Sequence, residues 1–302
     1  MVHSDGQLRH PRSPGDAARN ASFVVDGANP GSFSRKAWLA RLADRFMLKR
    51  LFSSQKSKKR TAPPQCNRPT YAIGDIHGRL DLLERLVDLI QKDIAEEGLK
   101  AERPVLVFLG DYIDRGPSSR AVVDQILRLR ADPGLEVRAL KGNHEEALLL
   151  FLQDAEFGRT WINHGGANTL SSYQIQPPNF RSATEDFEKA RSALHDAMGP
   201  AHLKFFHELE LYLQQDDYLF VHAGIRWGVP IEKQLEQDLL WIRKDFLEVD
   251  EAMDYVIVHG HTPAERPFLG SGRIGIDTGA YATGVLTAVR LWKSSQKVIQ
   301  SG

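Results

Sequence analysis

Carboxylates, amides and imidazoles recur in this chain at the ends of short apolar runs, each time with glycine beside them. Gly74-Asp75-Ile76-His77-Gly78 sets an Asp and a His two residues apart. Gly110-Asp111-Tyr112-Ile113-Asp114-Arg115-Gly116 and Gly142-Asn143-His144-Glu145 repeat the layout, and two later runs, YLFVHAG and YVIVHGH, carry His222 and His261. Imidazole nitrogen with carboxylate and amide oxygen suits a divalent first-row cation. The single cysteine, Cys66, excludes a thiolate-closed zinc site. Asp75, His77, Asp111, Asn143, His222 and His261 are more ligands than one tetrahedral ion takes, and a bridging carboxylate would let them hold two. That is the donor set of two-metal hydrolysis, in which ions roughly 3.5 to 4 Å apart clamp the attacking and leaving oxygens. One Asp or His at a strand end is ordinarily a turn or cap residue. A whole ordered set of them is not.

The elements that must position these groups read as alternating strands and helices. Residues 70 to 74, 104 to 109 (PVLVFL) and 135 to 140 (LEVRAL) are strands. Helices over 80 to 95 and from Pro117 to about Arg130 lie between them, with apolar sets such as Leu82, Leu83, Leu86, Leu89 and Ile90. Strands joined this way pair in parallel through right-handed crossovers, a βαβαβ unit, and ligands gather outside the strands' carboxyl ends. The three polar motifs fall at those ends. Residues 145 to about 213 read as mostly helical, broken at Gly165-Gly166 and Pro177-Pro178, with Trp161, Leu170, Leu203, Phe205, Phe206, Leu209 and Leu213 as core. Strand texture returns at 218 to 224, 255 to 261, 273 to 280 and 285 to 292.

With 302 residues and 42% apolar content, the chain can bury a substantial core. Net charge is zero but uneven: residues 1 to 69 hold about 14 Lys/Arg against about 4 Asp/Glu, leaving the body acidic. We divide the chain into a basic N-terminal extension over 1 to 68 and a folded domain over 69 to 302. Residues 1 to 34 have a disordered composition. An amphipathic helix over about 34 to 52 sets Trp38, Leu39, Leu42, Phe46 and Met47 among Arg and Lys. Such a helix fits an anionic membrane surface, nucleic acid, a partner's groove or the acidic body of its own chain, and the pattern leaves these open. Residues 53 to 69, with Cys66, read as an exposed linker. No window approaches 18 consecutive apolar residues, the N-terminus lacks a secretory apolar core, and a lone cysteine fits a reducing compartment, so a cytoplasmic location is expected.

The order GDIHG, GDYIDRG, GNHE, VHAG, VHGHT and IDTGA resembles the phosphoprotein phosphatase family of calcineurin-like metallophosphoesterases, closest to the bacterial and bacteriophage-lambda type. The resemblance covers about residues 69 to 292. It implies an α/β (α+β) fold, a β-sandwich flanked by helices. It also implies that Asp75 and His77 bind a first metal, that Asp111 bridges, and that Asn143, His222 and His261 bind a second, manganese being common and iron or zinc also used. His144 matches the general acid, Asp114 the carboxylate orienting it, and Arg115 and Arg243 the phosphate-binding arginines, with Arg226 a rival for the latter. By motif, His261 is the ligand and His259 a supporting group or phosphate contact. Glu145 and Glu146 read as helix caps, Asn163-His164-Gly165-Gly166 as a pocket wall or a turn, and Asp277-Thr278-Gly279-Ala280 as a loop support.

The activity this resemblance implies is a serine/threonine protein phosphatase, with phosphotyrosine as a further substrate, using a metal-bridging hydroxide as nucleophile. The alternative within the same chemistry is a diadenosine tetraphosphate hydrolase; in those relatives the second motif typically lacks the aspartate kept here as Asp114, and the third ends in Asp where this chain has Glu145. Both differences favour the phosphatase. A non-catalytic scaffold is the alternative of another class, and the intact ligand set argues against it.

Overall fold

The computed structural model describes residues 62–251 and 253–302. The basic helix read over 34 to 52, and the extension up to residue 61, lie outside the described residues. In chain order the sheet-forming and long helical elements are β1 (Cys66–Ile73), α1 (Leu80–Glu96), β2 (Val105–Phe108), α2 (Ser119–Arg130), β3 (Glu136–Ala139), α3 (Asn143–Gln153), α4 (Thr184–His207), β4 (Tyr212–Gln215), β5 (Tyr218–Val221), β6 (Val256–His259), β7 (Phe268–Leu269), β8 (Arg273–Gly275), β9 (Thr287–Lys293) and β10 (Ser295–Gln300). They build two five-stranded sheets, in the orders β10-β9-β1-β2-β3 and β4-β5-β6-β8-β7.

Period-two alternation assigns the faces. Tyr71, Ile73, Leu106 and Phe108 pack under the helices with Leu83, Leu86, Val123 and Ile126. Ala72, Val105 and Val107 face the other way, onto Tyr218, Phe220, Val256 and Val258 of the second sheet, forming the sandwich core. Leu219, Val221 and Ile257 cover the second sheet's far side against Leu239 and Phe246. The architecture is the helix-flanked β-sandwich with a βαβαβ core. In the first sheet β1, β2 and β3 are mutually parallel, and in the second β5, β6 and β8 are. Each polar motif follows the carboxyl end of one of these six strands.

Three strands escape the sequence reading. β4 and β7 are edge strands of four and two residues, too short to show a period, and β4 sits where helix was expected to run to 213. β10 is an edge strand in which Val298 and Ile299 stand among Ser, Gln and Lys, and its lysine is of the kind that discourages further pairing at an edge. The linker reading of Cys66 is also corrected. β1 starts there, the thiol is fully buried, and burial pushes its pKa up.

A buried ionic cluster ties α1 to the first sheet. The Asp93 carboxylate accepts from Tyr71 Oη (2.7 Å), Arg290 Nη1 (2.9 Å) and Lys297 Nζ (2.5 Å). Burial works to raise its pKa, but the hydrogen bonds from Lys297 and Tyr71 and the Arg290 charge outweigh it and hold the carboxyl below its ordinary value. A depressed folded pKa stabilises above the unfolded value and loses that stabilisation as pH falls through the folded one. Asp93→Asn is therefore expected to cost about 2–4 kcal/mol at pH 7. The gap to wild type should close below about pH 4, which urea melts at a series of pH values would measure.

Candidate metal centre

The turn after each parallel strand is built to turn its polar side chain inward. His77, Asp111, Asp114, Arg115 and His261 all have left-handed backbones, with φ of 46°, 53°, 71°, 66° and 65°. Non-glycine residues adopt this only when the surroundings enforce it. Enforcement is visible: Ile76 and His77 both donate their N–H to Asp111 O (3.1 and 2.9 Å), and Gly260 N–H donates to His222 O (2.8 Å). A Cβ at Gly142 would stand 2.2 Å from Asp111 Oδ1, and one at Gly260 would stand 2.0 Å from Asp75 Oδ1. Those two glycines are where the backbone must come closest to the carboxylates.

Four of the six candidate ligands, joined by His144, form two clusters that share Asp111: His77, Asp111 and His144, and Asp111, His222 and His261, with the ligand atoms in each within 4.8 Å of one another. His77 Nδ1 is spent on Ile113 O (2.9 Å) and His222 Nδ1 on Leu109 O (2.8 Å). Their Nε2 atoms therefore carry the free lone pairs. These face Asp111, His77 Nε2 at 3.5 Å from Oδ2 and His222 Nε2 at 3.4 Å from Oδ1. Asn143 Oδ1 meets His222 Nε2 and His261 Nδ1, each at 2.9 Å.

Asp75 adjoins this ring, its two carboxylate oxygens accepting the His261 backbone N–H at 3.2 and 3.0 Å. His144, not Asp75, completes the first cluster.

The electrostatics fit cations. Burial lowers His77 to about 3, lowers His222, and takes His261 well below the ordinary histidine range, the direction that frees an imidazole to ligate. Burial and the charges of Asp277 and Asp111 push Asp75 well up. Burial, with the Asp111 charge, lifts Asp277 to about 6. Carboxylates crowded this way are relieved by positive charge, and the facing lone pairs of His222 and Asn143 suit the same occupant.

His144 donates Nδ1–H to Asp114 Oδ2 (2.7 Å). Burial works to lower its pKa, but the Asp111 charge and the Asp114 hydrogen bond hold it above the ordinary value. Asp114 is itself clamped by Trp161 Nε1 (2.8 Å) and Thr169 Oγ1 (2.6 Å). Sequence reasoning placed Trp161 only in the core. In the structure Gly166 makes room for it, since a Cβ there would stand 2.4 Å from the Trp161 ring. Neighbouring Gly165 (φ 112°) carries the carbonyl that accepts Arg115 N–H (3.3 Å). The Asn163–Gly166 stretch thus backs the Asp114-Arg115 turn.

Both predicted arginines reach the site. Arg115 and Arg243 line a cavity of about 220 Å³ together with His77, Asp111, Asn143 and His261. The rival Arg226 is committed elsewhere, to Asp238 through Nε (2.8 Å) and Nη2 (2.6 Å). His259 stands outside both clusters, with Nδ1 on Gly260 O (3.1 Å) and its ring against Phe246. Glu145 does more than cap: fully buried, it accepts N–H bonds from Asp111 (2.8 Å), Tyr112 (2.9 Å) and Gly142 (2.9 Å), lacing two motifs together. Asp277 accepts Gly279 N–H (2.8 Å) and its carbonyl accepts Ala264 N–H (3.0 Å), supporting the loop after His261.

A family model described as calcineurin-like phosphoesterase matches residues 68–282. The chain belongs to the calcineurin-like phosphoesterase family. It is a hydrolase of the metallophosphoesterase kind. Among its relatives, the bis(5'-nucleosyl)-tetraphosphatase PrpE [asymmetrical] of Geobacillus thermodenitrificans is 29% identical over 238 residues, 72% of this chain and 88% of the relative. The protein of the same name from Bacillus anthracis is 27% identical over the same shares. A crystal structure described as that of a candidate diadenosine tetraphosphatase shares the fold, with TM-score 0.50 and 18% identity over 78% of this chain and 95% of that one.

These relatives overturn the phosphoprotein-phosphatase expectation and favour its alternative, the dinucleoside tetraphosphate hydrolase. Asp114 and Glu145 carried that expectation, and the geometry explains why they misled. Asp114 is occupied with His144, Trp161 and Thr169, and Glu145 with backbone N–H groups. Both are fully buried and occupied with the protein's own groups.

Proposed function

We propose that this calcineurin-like phosphoesterase hydrolyses bis(5'-nucleosyl) tetraphosphates asymmetrically, in a site holding two divalent cations, manganese first among them. The observation that carries the reading is the relatives' shared name over 88% of their length. The paired arginines over a ligand-lined cavity suit a polyanionic chain. Asp75, His77 and Asp111 would hold one ion, and Asp111, Asn143, His222 and His261 the other. Bound there, the cations would neutralise phosphate charge and acidify the attacking water.

The chain's own groups do the rest. Arg115 and Arg243 grip phosphate oxygens and hold the phosphorus for in-line attack. Water adds to one phosphorus, the P–O bond to the neighbouring phosphate breaks, and nucleoside triphosphate and nucleoside monophosphate leave. His144, held by its Nδ1–H bond to Asp114 and protonated on both nitrogens, supplies the Nε2 proton to the departing oxygen and is left as the Nδ1–H tautomer.

Full-length protein with manganese and diadenosine tetraphosphate is expected to release ATP and AMP in equal amounts. Chelation should abolish the release and added manganese should restore it. Two molecules of ADP, or no turnover while a phosphopeptide is consumed, would overturn the reading.

A further inference from the structure

Two exposed aromatic rings stand beside the candidate ligands. Trp241 is 45% exposed with its ring centroid 6.2 Å from that of His261, and Tyr281 is 40% exposed at 5.4 Å from His77. Tyr281 is already employed. The Arg115 guanidinium lies 4.7 Å over its ring, so the tyrosine braces a cavity arginine. Among the described residues no guanidinium or ammonium lies over the Trp241 ring, which is 45% exposed.

That indole is also fixed in place. Its Nε1 donates to Glu146 Oε2 (2.6 Å), on the helix that begins with Asn143 and His144. Between them Ile242 is buried, so Trp241 and Arg243 on either side are both exposed; Arg243 lines the cavity and Trp241 stands against His261, one of its walls. A flat, pre-positioned aromatic surface two residues from a phosphate-gripping arginine has no use in binding phosphate alone. It matches a substrate with a π-face a short distance from its phosphates, and stacking of a base on such a ring is tolerant of base identity.

We propose that Trp241 is a nucleobase-stacking platform, on which one base of the dinucleoside tetraphosphate lies while the adjoining phosphates meet Arg243 and Arg115. The inference rests on the function proposed above and adds to it the residue that separates a nucleotide from a bare polyphosphate. Because stacking acts on binding, its loss appears in KM more than in kcat.

The test compares wild type, Trp241→Ala and Trp241→Phe as full-length protein with manganese. Two quantities are read: KM for diadenosine tetraphosphate, and the inhibition constant of inorganic tripolyphosphate, which carries the charge without a base. In Trp241→Ala the ratio of KM to that inhibition constant is expected to rise about tenfold. Trp241→Phe, which keeps a ring and loses the N–H, should retain most of the wild-type ratio. Equal changes in both constants, or a Phe variant as impaired as the Ala variant, would assign Trp241 to holding Glu146 and overturn the stacking. If wild type turned over no dinucleoside tetraphosphate, the function reading itself would fall and the platform with it. If it did so and the ratio stayed put, the platform alone would fall.

Discussion

Asp111→Asn is expected to lower kcat/KM for diadenosine tetraphosphate by at least about 100-fold, beyond the 10–100-fold typical of groups that only support a ligand. Asp111 is the one side chain common to both clusters. Its Oδ2 faces His77 Nε2 (3.5 Å) and its Oδ1 faces His222 Nε2 (3.4 Å) while accepting His144 N–H (3.1 Å). Burial works to raise this carboxyl, but the imidazoles of His222, His144, His77 and His261 outweigh it and hold it well below the usual range, so the group is charged. Asparagine preserves shape, tolerates the left-handed backbone at φ 53°, and can still accept from His144. What it removes is the negative charge that two cations would share. Metal analysis should show fewer than two ions per chain, while the melting temperature in chelator stays within a few degrees of wild type. A variant with both ions and full turnover would show that the clusters do not share Asp111 as a ligand.

His144→Ala is expected to cut kcat by about 100-fold, at the lower end of the range for general acid–base groups, with little change in KM. The lower end applies because the leaving group is a phosphate oxygen, easier to expel than an alkoxide. Since His144, Asp114, Trp161 and Thr169 form one chain of hydrogen bonds, their effects should not add. Asp114→Asn combined with His144→Ala should be no slower than His144→Ala alone. Additive losses would mean that Asp114 acts independently of the imidazole, and an undiminished His144→Ala would remove the acid from the mechanism.

The βαβαβ unit and the convergence of six polar turns were legible because both follow from local pattern. Buried parallel strands are apolar runs, and a polar residue directly after such a run sits at its carboxyl end. β10 was not legible, because an exposed edge strand has no apolar run to announce it. Nor was Glu145's bonding, since a helix-cap glutamate and one accepting three N–H groups from two motifs look alike in one dimension. Arg243 and Arg226 were equal candidates until Asp238 was seen to claim Arg226. Substrate was least legible of all. Asp114 and Glu145, on which the choice was based, are fully buried and bonded to the protein's own groups, so they report on how the site is built and not on what it receives.

Five non-glycine residues with left-handed backbones line this centre, His77, Asp111, Asp114, Arg115 and His261. Each such residue costs roughly 1 kcal/mol or more, so the turns are bent against their own preference while folding proceeds, by a sandwich rigid enough to impose it. Breeding this protein for heat tolerance would draw substitutions first to these positions, where glycine or asparagine relaxes the chain. Durability and catalysis therefore compete for the same five sites, and a lineage selected only to survive heating would drift toward a sturdy, inert fold.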